Sequence, residues 1–313
     1  MSATDWTTHN IPSLAGRNIV ITGANSGIGY RAAHVLAEKG AHVVMACRDA
    51  KRGAAAVAAI RRDMSDADVA LAVLDLASLA SVQRFADDFL AQGRPLHVLI
   101  NNAGVMTPPK RLETKDGFEL QFGTNVLGHF ALTARLMPAL ERAGDTRIVT
   151  LASIAHKRGR LAFDDLQSLK SYSPMGAYAQ SKLGDLMFAF ELDRRLRVAG
   201  SPIQSIAVHP GVAATNLFRT GDYNPLEKAA RDVFSHMIGW VLNSDAAGAL
   251  PTLYATTSDH VQSGGYYGPQ GLFEARGRRV GEADVAPQAR DQAAARRLWD
   301  TCETLTGLSF LDA

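Results

Sequence analysis

"NIVITGANSGIG", residues 18–29, is the stretch that decides the fold. Its first half is an unbroken apolar run with Ile19, Val20 and Ile21 side by side, which reads as a strand buried on both faces. Gly23, Gly27 and Gly29 then mark a turn, and the periodic stretch from about Ile28 to Lys39 reads as a helix. A strand that runs through glycines into a helix N-terminus is suited to a pyrophosphate. Glycine lets the backbone come close, and the first helical turn offers free amides and the positive end of the helix dipole. The spacing is G-x-x-x-G-x-G rather than G-x-G-x-x-G, so the strand–turn–helix setting is more informative than the letters.

The same alternation continues outward. "AHVVMAC" (41–47), "VALAVLDL" (69–76), "LHVLINNAG" (96–104), "RIVTLAS" (147–153) and "IQSIAVHPG" (203–211) read as strands. "AKRGAAAVAAIRR" (50–62) and "SLASVQRFADDFLAQ" (78–92) are helical, and further helices fall between the later strands. Apolar strands alternating with helices predict an α/β fold, a Rossmann-type doubly wound parallel sheet covered on both faces. No Pro-, Ser- or charge-rich linker interrupts it, so residues 1–313 are expected to form one domain. Two segments stand out within it, 213–259 and a C-terminal helical extension over 285–313. The first carries Leu217, Phe218, Phe234, Met237, Ile238 and Trp240, with Gly221 and Gly239 as candidate hinges. It reads either as a helix pair on the core or as a lid for an apolar substrate, and the lid is favoured.

Apolar residues make up 47% of the 313 and charged residues 20%, with a formal charge of +2, which describes a soluble globular chain with a sizeable core. No basic block is long enough for nucleic acid. Arg276, Arg278 and Arg279, like Arg296 and Arg297, read as solvated surface. Cys47 and Cys302 are the only cysteines, too few and too far apart for a disulfide framework, and they suit a reducing compartment. "MSATDWTTHNIPSLAGR" lacks the apolar core of a signal peptide, and no stretch approaches the ~20 apolar residues of a membrane span. The expectation is a cytoplasmic protein without integral membrane contact. A homo-oligomer is allowed but leaves no mark in the sequence. The nine histidines are scattered and no zinc spacing occurs, so no metal site is expected.

"GAYAQSKLGDL" (176–186) places Tyr178 four residues ahead of Lys182, on one face of a helix. A fixed ammonium beside a phenol favours the phenolate, so such a pair suits proton exchange near neutral pH. After the second strand, "MACRDAKR" puts Arg48 where a 2′-phosphate on an adenosine ribose would lie, with Lys51 and Arg52 close behind. Asp49 reads as the N-cap of the following helix. NADP(H) is therefore favoured over NAD(H).

With these features in this order, residues 15 to 270 resemble the short-chain dehydrogenase/reductase family. "LDL" (74–76), "NNAG" (101–104), "TNVLG" (124–128), Ser153 and "HPG" (209–211) with Thr215 match its remaining motifs. The resemblance implies that Gly23, Asn25, Ser26, Gly27, Ile28 and Gly29 hold the pyrophosphate side of the cofactor, with Arg48, Asp75 and Leu76 on its adenosine. It further implies contacts from Asn101, Ala103, Gly104, Pro210, Gly211 and Thr215, and from Tyr178 and Lys182 at the nicotinamide end. As catalytic roles it implies Tyr178 as general acid or base, with Lys182 lowering its pKa and binding the ribose. Ser153 would polarise the substrate oxygen, and Asn125 would support the proton relay.

Ser153 and Tyr178 are separated by 24 residues, about a dozen more than in shorter family members. That insertion, "CRD" after the second strand and the tail "ARRLWDTCETLTGL" (295–308) resemble the retinol-dehydrogenase-like and protochlorophyllide-reductase-like branch. The expected substrate is a small apolar alcohol or carbonyl compound. A reductase of an activated C=C bond and a non-catalytic NADP(H) sensor are the competing readings. Asp164 and Asp165, adjacent in the insertion, read as capping or turn residues.

Overall fold

The computed structural model describes residues 6–212 and 244–311. The opening stretch folds as read: β1 (Asn18–Thr22) is buried beyond its first residue, and the glycine turn leads into α1 (Gly27–Glu38). There follow β2 (His42–Cys47), α2 (Ala50–Asp63), β3 (Val69–Val73), α3 (Leu79–Ala91) and β4 (Val98–Asn101). A short helix, α4 (Leu120–Phe122), runs through a π turn (Gly123–Leu127) into α5 (Gly128–Glu141). Then come β5 (Arg147–Leu151), α6 (Pro174–Val198), β6 (Gln204–Val208), α7 (Asp245–Thr257), β7 (Tyr266–Pro269), β8 (Val280–Glu282) and α8 (Gln292–Thr306). The eight strands form one sheet in the order β3-β2-β1-β4-β5-β6-β7-β8.

All neighbours pair in parallel except β7 and β8, which form an antiparallel edge. These two strands are absent from the sequence reading. They are four and three residues long and contain Gly268, Pro269 and Gly281, so neither offers a run long enough to register as a strand. The second expected strand ends at Cys47 as read, but the other five ran two or three residues too far at their C-terminal ends. There the chain leaves the ladder to build a cleft: Thr22 Oγ1 accepts the backbone N–H of Asn102 and of Ala103, both at 2.9 Å, and pairing stops.

Capping follows local chemistry. Asp49 accepts from the backbone N–H of Arg52 at 3.0 Å, as its N-cap reading required. Asp165 holds a turn by accepting from Leu169 and Lys170, and Asp164 pairs with Lys170 at the surface. One face of the sheet carries α3, α5, α6 and α8 over a core that includes Phe122, Phe130, Phe188 and Trp299. The other carries α1, α2 and α7 over a core that includes Trp6, Ile21 and Tyr254. Phe130 and Trp299 meet edge-on at 5.0 Å, Phe188 stacks on Trp299 at 5.8 Å, and Phe310 lies 4.7 Å from it. The C-terminal helix is thus tied into the main core.

Leu217, Phe218, Phe234, Met237, Ile238, Trp240, Gly221, Gly239 and Thr215 lie outside the described residues, and with them the lid reading. The remainder of that segment, from Ser244, forms α7, whose inner face is buried against α1 and the sheet. Among the described residues no helix is long and apolar enough to cross a membrane, and no cluster of groups suits a metal ion.

Candidate active site

A cleft of about 540 Å³ opens at the C-terminal edge of the sheet, where open α/β sheets take ligands. One end is the glycine turn. Gly23 and Gly27 adopt φ of +68° and +59°, a region in which a side chain is strained. A Cβ on Gly29 would fall 2.5 Å from Asn102 Nδ2 and 2.8 Å from the Gly23 carbonyl. The three glycines therefore leave bare backbone at the mouth of α1, a cradle that fits a pyrophosphate. Asn25, Ser26, Gly27, Ile28, Arg48, Asp75 and Leu76 line the same end. Arg48 is exposed and, among the described residues, pairs with no carboxylate.

Ala103, Gly104, Ser153, Tyr178, Lys182, Pro210 and Gly211 line the rest. Residues as far apart in sequence as Gly23 in the glycine turn and Lys182 in α6 therefore meet in one space. Two expected residues do not reach it. Asn101, the last residue of β4, is buried and donates from Nδ2 to Thr133 Oγ1 at 3.2 Å, on the α5 side of the sheet. The two-residue alternation of the strand turns it inward, while Asn102, one position on, lines the cleft and holds the Thr22 carbonyl at 2.7 Å. Asn125 is fully buried beneath the cleft floor. Its Oδ1 accepts from the Val105 N–H at 2.8 Å, and its Nδ2 donates to the Val105 carbonyl at 3.0 Å and to Ser181 Oγ at 2.9 Å. A Cβ placed on Gly104 would lie 3.4 Å from Asn125 Oδ1 and 3.8 Å from Lys182 Nζ, so these two groups flank the same glycine.

Lys182 is buried, with Nζ donating to the Leu151 carbonyl at 2.8 Å and to Asp185 Oδ2 at 2.7 Å. Burial alone would lower its pKa, but the carboxylate of Asp185 and the nearby Tyr178 outweigh it and hold the group above the ordinary lysine value. Burial pushes Asp185 up to about 6 against the pull of Lys182, so the pair is ionic at neutral pH. Asp185 is absent from the expected site although it sits in the same quoted stretch as Tyr178, one turn past the lysine. Ser153 caps the turn after β5, its Oγ accepting from the Ala155 N–H at 3.2 Å.

His129 was not expected either. Its Nδ1 donates to the Asn125 carbonyl at 2.8 Å, which leaves Nε2 to accept from Thr22 Oγ1 at 2.9 Å. One imidazole thereby ties the end of β1 and the start of the cleft to the π turn. Burial lowers its pKa to about 3. In the unfolded chain the ring takes a proton near 6.5, so below that pH the unfolded state binds one proton more and stability falls as pH drops. Replacing His129 with Asn should flatten the acid limb of a stability–pH curve by about 1.4 kcal/mol per pH unit between roughly pH 6 and 4. Denaturant titrations read this directly. An unchanged slope would mean that the ring is already charged in the folded state.

The 24-residue stretch between Ser153 and Tyr178, which contains the insertion, forms a wall beside the cleft. Tyr172 donates to the Pro108 carbonyl at 2.8 Å, Arg111 to the Gln167 carbonyl at 2.8 Å, and Gln180 Oε1 accepts from Ala162. The far walls are apolar, with Val105, Met106, Leu112, Leu120, Ile154 and Met175 facing the space.

The model of the short chain dehydrogenase family matches residues 17–224. The chain belongs to that family. Within it, this short-chain dehydrogenase is retinol-dehydrogenase-like. It is 43% identical over 303 residues to polyprenol dehydrogenase of Mus musculus, covering 95% of this chain and 86% of that protein. It is 38% identical to retinol dehydrogenase 12 of Homo sapiens, over 93% of this chain and 87% of that one. The crystal structure of an uncharacterized protein from Mycobacterium paratuberculosis superposes with a TM-score of 0.79 at 40% identity, over 97% and 98% of the two chains. The chain is thus an oxidoreductase of alcohol or carbonyl groups, in a family that binds nicotinamide cofactors.

Proposed function

We propose that this short-chain dehydrogenase is an NADP(H)-dependent oxidoreductase of apolar alcohols or carbonyl compounds, working as one domain in the cytoplasm. The observation that carries the reading is the convergence of Ser153, Tyr178 and Lys182 with the glycine turn and Arg48 on one cleft. The presence of both Ser153 and Tyr178 there favours an enzyme over a sensor.

Bound nicotinamide would supply or take up the hydride. Tyr178 gives its phenolic proton to the substrate oxygen in reduction and takes it back in oxidation. Ser153 donates a hydrogen bond to the same oxygen as charge develops on it. Lys182, fixed by the Leu151 carbonyl and Asp185, keeps a positive charge beside the phenol and would hold the ribose of the bound cofactor. Asn125 holds the Val105 segment and the neighbouring helix in register from below, supporting the proton path that starts at Lys182. Met106, Leu112, Leu120 and Met175 give the substrate end its apolar walls, in keeping with the polyprenol and retinol in the names of the relatives.

The test is oxidation of NADPH and of NADH against a panel of apolar aldehydes and ketones, together with direct binding of both cofactors. If Arg48 takes the 2′-phosphate, NADPH should bind tighter by roughly tenfold to a hundredfold, the scale of a charge-assisted hydrogen bond of about 1.5–3 kcal/mol. Arg48→Glu should abolish or reverse that preference. Equal wild-type affinities would remove the cofactor assignment.

A further inference from the structure

The loop joining β7 to β8 carries two bulky apolar side chains in water. Leu272 is 76% exposed and Phe273 85%, well beyond the other large apolar side chains at the cleft mouth, Met175 at 51% and Leu112 at 36%. The loop is not a loose excursion. Gln270 N–H donates to the Arg279 carbonyl at 2.9 Å, Glu274 N–H to Gly271 and Ala275 N–H to Leu272, both at 3.0 Å. Phe273 and Glu274 are successive non-glycine residues at φ of +52° and +56°, a conformation that a bulky aromatic side chain rarely adopts. The Glu274 carboxylate is turned inward, accepting from the Asp284 N–H at 2.6 Å and pairing with Lys157 at 2.9 Å.

What remains facing outward is an apolar tip with a cationic collar. Arg276, Arg278 and Arg279 are all exposed, and Arg278 and Arg279 pair with no carboxylate among the described residues. The Lys157–Glu274 pair brings in the neighbouring loop, on which Arg158 and Arg160 are exposed as well. Glu274, the acid inside the tip, is thus paired with Lys157, while Arg278 and Arg279 keep cationic ends that meet no carboxylate among the described residues. The position is equally specific. β7 is parallel to β6, so the loop leaves the sheet at the same edge as the cleft, and Val212 N–H, on the cleft wall, donates to the Ala275 carbonyl at 2.7 Å.

We propose that this face docks on an anionic lipid bilayer, with Leu272 and Phe273 entering the headgroup–acyl boundary and the arginines engaging lipid phosphates. Bulky apolar side chains beside Arg are the chemistry of a peripheral interfacial contact. A second copy of this chain would set like charges against one another, and an acidic protein surface would leave the exposed Phe273 without an apolar phase. Docked in this way, the cleft mouth opens toward the phase in which an apolar substrate dissolves. That consequence rests on the substrate reading above, whereas the docking itself does not.

Sedimentation of the full chain with vesicles of phosphatidylcholine, with and without phosphatidylserine, tests it. Binding is expected to the phosphatidylserine-containing vesicles, with release as salt screens the surface. Each cation near an anionic surface contributes roughly fivefold, so changing Arg278 and Arg279 together to Gln should lower partitioning on the order of 25-fold. Leu272→Ser with Phe273→Asn should lower it at least ~10-fold through lost apolar contact. Both variants should keep the cofactor affinity of the wild type, which shows that they fold. Failure of the wild type to bind anionic vesicles would overturn the proposal, as would binding that either variant leaves unchanged. A dimer that the Leu272/Phe273 variant dissolves, without vesicle binding by the wild type, would place a second copy on the face instead. Vesicle binding by a chain that reduces no carbonyl in the panel would leave the docking standing and remove only the substrate reading.

Discussion

Phenylalanine in place of Tyr178 should lower kcat by ~10²–10⁴-fold, the scale of a lost general acid–base group, with cofactor affinity and melting temperature nearly unchanged. The substitution removes one oxygen from a side chain that lines the cleft and, among the described residues, makes no side-chain hydrogen bond. Lys182→Ala should differ in kind. It strips a buried ammonium from Asp185 and the Leu151 carbonyl, so it should weaken cofactor binding and cost stability as well as turnover. Single-turnover assays with a confirmed substrate, alongside cofactor titrations, separate the two patterns. Near-normal turnover in Tyr178→Phe would mean that another group carries the proton.

Trp299→Ala should cost about 3–5 kcal/mol of folding free energy, a large share of the roughly 5–15 kcal/mol that a typical domain possesses. Trp299 is 1% exposed and touches Phe130, Phe188 and Phe310. Arg195 lies over its ring at 4.5 Å, and its Nε1–H donates to Glu303 at 3.1 Å. Removing the indole leaves a cavity where α5, α6 and α8 meet, and rigid secondary structure on three sides limits its collapse. Chemical denaturation measures the loss. A cost below about 1 kcal/mol would mean that α8 rests on the core without helping to hold it.

What could be read from the sequence was whatever a short stretch determines by itself. The six parallel strands from β1 to β6, the glycine turn and the Asp49 cap each depend on neighbours within a few residues. Arg48, Ser153, Tyr178 and Lys182 reach the cleft because each sits just past a strand or on a helix face whose direction the pattern reveals. The misses depend on distant partners or on very short elements. His129 finds Thr22, 107 positions away, and nothing near either residue announces the pairing. Asn101 and Asn102 are adjacent and identical in type, and only the strand's end decides which of them faces the cleft. The edge made by β7 and β8 exists because β6 offers a free side to pair with, a circumstance that their own seven residues do not encode.

The π turn at Gly123–Leu127 has a consequence for anyone who would stabilise this protein. Gly128 N–H bonds to the Gly123 carbonyl five residues back instead of four, so the helix carries one residue more than a regular coil would hold. Deleting a single residue there would restore an uninterrupted α-helix. Such a repair would look favourable on any measure of helix regularity. It would also rotate everything before the deletion by about 100° relative to everything after it, parting the Asn125 carbonyl from the His129 ring and Asn125 itself from Val105 and Ser181. The irregularity works as a vernier between two halves of one helix, one set to the sheet and the other to the floor of the cleft. Thermostabilised designs of this chain should keep it, since a straighter helix would give a firmer scaffold around a misaligned site.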